Sequence, residues 1–184
     1  MGKAQDNREA LVRTAMRLFR RNGYANVGLQ EILQESGAPR GSLYYYFPGG
    51  KEALGEAAVT MAGELIAEML SALAARHRTP RGFVRAYCAQ MADWMEESGF
   101  SSGCPIATTV LETVPDSPRI QRAGSAALDG WIAIIAGVFE RAAMPRRQAV
   151  QRAQSLVAAM EGALIIARLR GSRRPITQLA RTFD

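Results

Sequence analysis

Residues 28–51 read GLQEILQESGAPRGSLYYYFPGGK, and no other stretch narrows the possible folds as far. Leu29, Ile32 and Leu33 fall on one side of a helical wheel, with Gln30, Glu31, Gln34 and Glu35 on the other. Gly37 stands where that helix must stop and turn, a place suited to the left-handed backbone angles that glycine adopts without strain. Ala38-Pro39 follows, and proline is expected in the first turn of a second helix, where its missing N–H is not needed. That second helix offers Arg40, Ser42, Tyr44, Tyr45 and Tyr46 outward, with only Leu43 and Phe47, four apart, as buried anchors. The ratio is poor for a core helix and good for one whose outer face meets a partner. Two short helices joined by a tight glycine turn make a helix-turn-helix, a motif that lays its second helix in the major groove of DNA.

The residue types suit that task. A guanidinium binds a guanine edge or a phosphate, and a serine hydroxyl bonds either. Tyrosine hydroxyls reach phosphates while their rings touch thymine methyls. Lys51 lies at the expected start of the next long helix, where its ammonium and the helix N-terminus can hold one phosphate together. The competing reading makes the tyrosines a hydrophobic cluster with a solvated basic edge. The preceding segment weighs against it. Leu11, Ala15, Leu18 and Phe19 share an apolar face opposite Arg13, Arg17, Arg20 and Arg21, and Asn22-Gly23-Tyr24 stops that helix. A third helix with a basic outer face completes a small three-helix DNA-binding unit.

On these residues the chain resembles the TetR family of bacterial transcriptional regulators. The resemblance covers roughly residues 8–54. It rests on LF-x-x-x-GY, the turn glycine, G-S-L-Y-Y-Y-F and K-E-A-L in combination. FPGGK, together with SSGCPIATTVLE at 101–112, is similar to the LmrA-like branch, whose members often answer to drugs or other small aromatic compounds. The resemblance implies DNA contact by Arg40, Ser42, Tyr44, Tyr45, Tyr46 and Lys51. Two positions depart from the pattern. Val27-Gly28 stands where the family usually has Thr or Ser opening the second helix, and Tyr46 stands where a histidine is common.

Charge is distributed as a nucleic-acid partner requires. Residues 1–51 hold eight Lys or Arg against four acids, a net of +4, whereas the remaining 133 residues net only +2. Arginine preference is chain-wide, since only Lys3 and Lys51 are lysines, so arginine richness by itself says nothing about base readout. Cys88 and Cys104, sixteen apart, form neither a metal knuckle nor a disulfide framework. Residues 1–10 are polar, with no signal peptide visible, and no apolar run approaches the ~20 residues of a membrane span. A cytoplasmic protein with neither cofactor nor metal is expected.

From Lys51 onward the pattern is helical nearly throughout, with no strand pattern. Breaks at 79–82, 98–105, 115–118, 144–145 and 171–175 leave helices near 51–77, 81–97, 105–113, 118–142, 146–170 and 175–183. The expected fold is all-α, with a helix-turn-helix domain over residues 1–50 and a helical ligand-binding and dimerisation domain over 51–184. In the helix at 118–142, Ile120, Gly124, Ala127, Trp131, Ile134 and Val138 recur at steps of four and three, with Leu128, Ile132, Ile135 and Phe139 adjoining. In the next, Val150, Ala153, Val157, Met160, Leu164 and Ala167 form a stripe beside Leu156, Ile165 and Ile166. Two bands on each of two neighbouring helices imply burial on two sides. This predicts a four-helix homodimer interface through Trp131, Ile134, Val138, Val157, Met160 and Leu164. Dimerisation would set two recognition helices in successive major grooves, about 34–36 Å apart, over a palindromic operator.

Met61, Leu65, Met91, Trp94 and Met95 are unbranched or aromatic, a population that adapts to varied ligand shapes, with Glu112 a candidate partner for a cationic effector. The same spacing also describes plain core, and it is the family resemblance that favours a pocket. The leading expectation is a ligand-released repressor. Its alternative is redox sensing through Cys104, at a helix start where a thiol pKa can fall. Catalysis finds no residue set: the sole histidine, His77, lies between Arg76 and Arg78 at a helix end, and no phosphate-cradling loop or metal cluster is present. A non-specific nucleoid-type binder is a further possibility, one that predicts steep salt dependence without sequence preference.

Overall fold

A computed structural model describes residues 2–183, which are helical with no strand among them. In chain order the helices are α1 (Gly2–Asn22), α2 (Leu29–Ser36), α3 (Arg40–Tyr46), α4 (Gly50–Arg76), α5 (Pro80–Glu97), α6 (Pro105–Thr113), α7 (Pro118–Arg141), α8 (Arg146–Arg170) and α9 (Arg174–Thr182). The helices expected after Lys51 agree with these within about a residue or two at each end. Glycine and proline punctuation placed them correctly.

Two compact units form, and neither is a continuous stretch of chain. The first takes residues up to Glu64 together with Pro105–Ala127; the second takes Leu65–Cys104 and the residues from Leu128 on. The first unit therefore contains more than the three helices expected over residues 1–50, adding the start of α4, all of α6 and the start of α7. Its core joins Leu11, Ala15, Leu18 and Phe19 of α1 to Ile32 and Leu33 of α2, Leu43 of α3, and Leu54 and Ala58 of α4. Phe47 and Val27 close it from the loops. The apolar spacings read from the sequence are the positions buried, except that Leu29 only partly covers this core.

Polar contacts fix how α4 and α7 meet inside this unit. Ser117 precedes α7; its hydroxyl donates to Glu52 and accepts from the Ile120 N–H at 3.3 Å. Arg119 donates to Glu56 at 2.9 Å. Further along, a Cβ at Gly63 would lie 2.6 Å from Cβ of Ala127, so the two helices cross more closely than any side chain at 63 allows.

In the second unit α9 packs on α5 and α8. Arg173, just before α9, donates to Asp93 at 2.6 Å and Glu96 at 2.9 Å, both on α5. Thr79 caps α5 by accepting the Gly82 N–H at 3.2 Å. The Arg152 guanidinium lies over the rings of Phe139 and Phe183, 5.6 and 5.7 Å from their centres. Phe83, Val84, Leu156, Ile135 and Ile176 are fully buried.

Two sequence expectations change here. α4 and α7 turn out long and apolar enough to cross a membrane by length and composition, contrary to the expectation that no such run exists. Their apolar character serves cores: Leu54, Ala58, Val59 and Ala62 are buried on α4, and Trp131, Ile135, Ala136, Val138 and Phe139 on α7. The second change concerns the residues chosen for a partner surface. Trp131, Val138, Val157, Met160 and Leu164 are buried within the single chain, each at most 7 % exposed, and only Ile134 of that set keeps partial exposure. The adjoining bands of α7 are one broad buried arc, because Ile135 and Phe139 face inward too. On α8 the second band is real but lies at Ile165, Ile166 and Leu169, which are 59, 42 and 81 % exposed.

Candidate nucleic-acid interface

The turn between α2 and α3 is built as its residues dictate. Gly37 closes α2 with φ +66°, in the left-handed region. The Ser36 hydroxyl donates to the Leu33 carbonyl at 3.1 Å and accepts from the Ala38 N–H at 3.3 Å, bracing the corner. Pro39 takes the cap position of α3 with an extended ψ of 139°, one residue earlier than expected, so it precedes the first turn. Gly28 caps α2 without any side-chain bond, as the absent hydroxyl at this position implied.

On α3, Leu43 and Phe47 are buried, at 0 and 3 % exposure, while Tyr44 and Tyr45 stand 56 and 79 % exposed. Large aromatic rings held in water on a short, firmly anchored helix need a partner to account for them. Arg40 is exposed and Ser42 half-buried. Tyr46 is half-buried, edge-on to Tyr45 with ring centres 4.9 Å apart. Beneath α3, the Arg8 guanidinium lies 5.6 Å from the Phe47 ring centre, a contact that no sequence pattern signals. A cleft of about 430 Å³ opens beside it, with Tyr46, Ala57, Met61, Glu64 and Arg119 among its lining.

The basic face of α1 is partly neutralised. Arg13 pairs with Glu9 at 2.6 Å, and Arg17 pairs with Glu35 of α2, which ties the two helices. Exposed pairs like these contribute little to stability, yet they take charge away from a phosphate surface.

Lys51 is in the first turn of α4, as expected, but its ammonium turns toward the loop before α2. It donates to the Ala25 carbonyl at 3.2 Å and sits 4.6 Å from the Tyr24 ring centre. Burial lowers its pKa, and the Glu112 carboxylate pulls it back up. Glu112, at the end of α6, accepts the Ala25 N–H at 2.6 Å. So the residue expected to meet a cationic effector instead binds the helix-turn-helix unit, because α6 packs against α1. Tyr24 packs against Phe19 with its ring tilted by 51°, ring centres 4.9 Å apart.

The other residues expected around a ligand do not gather in one unit. Met61 lies half-buried in the first; Leu65, Met91, Trp94 and Met95 belong to the second, with Met91 and Met95 buried, Trp94 half-buried and Leu65 38 % exposed. The second unit also buries Tyr87, Cys88 and Cys104. Burial pushes the Tyr87 hydroxyl and the Glu161 carboxyl up in pKa; a hydrogen bond with Cys104 pulls Glu161 partly back. Cys88 and Cys104 are thiols rather than disulfide partners. His77 follows α4 and is half-buried. Among the described residues, no three His, Cys, Asp or Glu gather closely enough to hold a metal ion.

An all-helical chain with an anchored recognition helix and two solvent-held tyrosines defines a helix-turn-helix transcriptional regulator. The comparisons say which kind. Residues 11–58 match the bacterial regulatory proteins of the tetR family, and residues 80–182 match the C-terminal domain of LmrA/YxaF-like transcriptional regulators. The chain belongs to the TetR family, with an LmrA/YxaF-like C-terminal domain. It is 32 % identical over 177 residues to the HTH-type transcriptional regulator Rv0196 of Mycobacterium tuberculosis, covering 94 % of this chain and 89 % of that one. Identity to the HTH-type transcriptional regulator LmrA of Bacillus subtilis is 27 % over 175 residues, covering 95 and 93 %. A crystal structure of a TetR transcriptional regulator from Chloroflexus aurantiacus superposes with a TM-score of 0.84 at 27 % identity, covering 100 and 94 %. These relatives are regulators of transcription, not enzymes.

Proposed function

We propose that the protein acts as a cytoplasmic, homodimeric repressor that binds a palindromic operator and is released by a small hydrophobic or aromatic ligand. The observation that carries the DNA reading is the outward pair Tyr44 and Tyr45 on a helix pinned by Leu43 and Phe47. Arg40 and Ser42 add donors on the same helix, and Lys51 supports the surface from behind through Ala25. Residues 1–50 carry DNA contact, and 51–184 carry dimerisation and ligand response.

Dimerisation through α7 and α8 is supported by a feature that a lone chain does not account for. Gly130 and Gly162 lie inside long helices with nothing within 4 Å of where a Cβ would stand. A glycine inside a helix costs about 1 kcal/mol relative to alanine, and nothing within the chain offsets that cost here. A second helix packed close against the glycine would. Ala133 and Gly137 continue the open face of α7; Ala158, Ile165 and Leu169 flank Gly162 on α8. The partner surface is therefore this face, in place of the buried bands.

Ligand control follows from linkage: a molecule that binds better to the form unable to span two grooves weakens DNA binding by the same factor that DNA weakens its own. Leu65, Met91, Trp94 and Met95 supply the adaptable wall. Redox control through Cys104 is the lesser reading, because that thiol is 7 % exposed and bonded near a carboxyl that disfavours a thiolate. Footprinting on the DNA upstream of the protein's own gene, with and without a compound library, tests the proposal. Protection of a two-fold symmetric site, lifted by some compounds, supports it; absence of sequence-specific protection removes it. A Cys104→Ser protein that still releases DNA on oxidation removes the thiol alternative.

A further inference from the structure

The loop between α1 and α2 is clasped at one residue, through the two peptide groups that flank it. Ala25 donates its N–H to Glu112 Oε2 at 2.6 Å and receives Lys51 Nζ at its carbonyl, 3.2 Å away. Ala25 is exposed, so no apolar burial holds it. Gly28, where α2 begins, has no side-chain cap. Opposite charges from α6 and α4 thus hold the segment that a cap would ordinarily fix. The backbone at Gly23 is shaped to admit the carboxylate: φ is +83°, and a Cβ there would stand 2.5 Å from Glu112 Oε1. Tyr24 walls the site, with Phe19 on one side and the Lys51 ammonium over its ring.

We propose that Glu112 is a positioning residue for DNA contact: with Lys51 it holds the N–H and the carbonyl of Ala25, two successive peptide groups, and so fixes where α2, and through it α3, begins. This rests on the reading that α3 meets DNA. Glu112 touches no phosphate in this role. Its carboxylate acts through the backbone, and charge-assisted bonds of this kind are short and strong. The assignment also gives one α6 residue a direct hold on the helix-turn-helix that requires no large movement: losing one proton acceptor frees the loop.

The test compares wild type, Glu112→Gln, Lys51→Met and the double variant as full-length protein, with the duplex footprinted by wild type as probe. Glu112→Gln should weaken operator binding severalfold, about the difference between a charge-assisted and a neutral hydrogen bond, because the amide oxygen still accepts the Ala25 N–H. The slope of log affinity against log salt should stay at the wild-type value, because no phosphate contact is lost. The double variant should lose much less than the product of the single losses, since both singles loosen the same loop at Ala25. The Ala25 amide proton reports the clasp without DNA: its exchange with solvent should be faster in Glu112→Gln than in wild type. Wild-type affinity in Glu112→Gln overturns the proposal, as does tighter binding with a steeper salt slope, which would make Glu112 a competitor of phosphate. A wild-type protein that binds no duplex specifically overturns the DNA reading as well, whereas an unchanged variant beside a binding wild type overturns the clasp alone.

Discussion

α3 and α8 both hold large side chains out in water, and they do so with opposite chemistry. On α3 the exposed groups are Tyr44 and Tyr45, whose rings carry a hydroxyl each, beside the exposed guanidinium of Arg40. On α8 they are Ile165, Ile166 and Leu169, with no polar atom among their side chains, beside an open glycine at 162. The first surface can satisfy a polyanion's oxygens and touch its bases. The second can only be covered by another apolar surface. On the proposed reading the two faces divide the labour of a dimeric DNA-binding protein, and each is recognised by what its anchors leave outside.

The comparison breaks most visibly at α8. Ile165→Asp with Leu169→Asp should turn dimer into monomer in sedimentation at micromolar concentration, weakening association about a thousandfold or more, because two carboxylates buried without partners cost several kcal/mol. A variant that stays dimeric would send the partner surface elsewhere. On α3 the anchor comes next. Leu43→Ala should lower the unfolding free energy by about 2–5 kcal/mol in chemical denaturation, as for a fully buried leucine that leaves a cavity. A loss under about 1 kcal/mol would mean α3 is not held as described.

The Tyr44→Ala, Tyr45→Ala double variant sharpens the contrast. It should bind operator about a hundredfold more weakly while its melting temperature and dimer constant stay at the wild-type values, since exposed groups contribute to binding and little to folding. The smallest effect concerns the buried carboxyl of the second unit. Burial raises the Glu161 pKa above its ordinary 4.5, so the folded chain holds that proton more tightly than the unfolded one. Its favourable contribution is complete below the unfolded value and fades as pH rises through the folded value. Glu161→Gln should therefore gain melting temperature relative to wild type at pH 8 and lose that advantage at pH 4. An advantage independent of pH would rule out the desolvated charge as its cause.

How far the sequence could be read differs between the two faces, for a physical reason. The helix-turn-helix uses local rules: a glycine that turns, anchors four apart, a proline at a helix start. Gly37, Leu43 and Phe47 all stand where those rules put them. The partner face depends on which of two apolar bands an unseen neighbour in the same chain covers. Val157, Met160 and Leu164 have the same periodicity as Ile165 and Leu169, and only packing separates them. The interior glycines at 130 and 162 are the signal the sequence offers for the proposed face, since each lowers helix stability and nothing within the chain offsets it. Glu112 was misread for a similar reason. It is distant in sequence from Ala25, and a backbone N–H leaves no trace in a pattern of side chains.

On the proposed function, two copies of the Tyr44–Tyr45 surface meet one duplex together. Footprinting of the wild-type dimer on its own upstream DNA tests this most directly. The account predicts two protected half-sites related by a two-fold axis and centred about one helical turn apart, both lost in the tyrosine double variant. Protection spread evenly along the DNA, surviving removal of the tyrosines and fading only with salt, would contradict it.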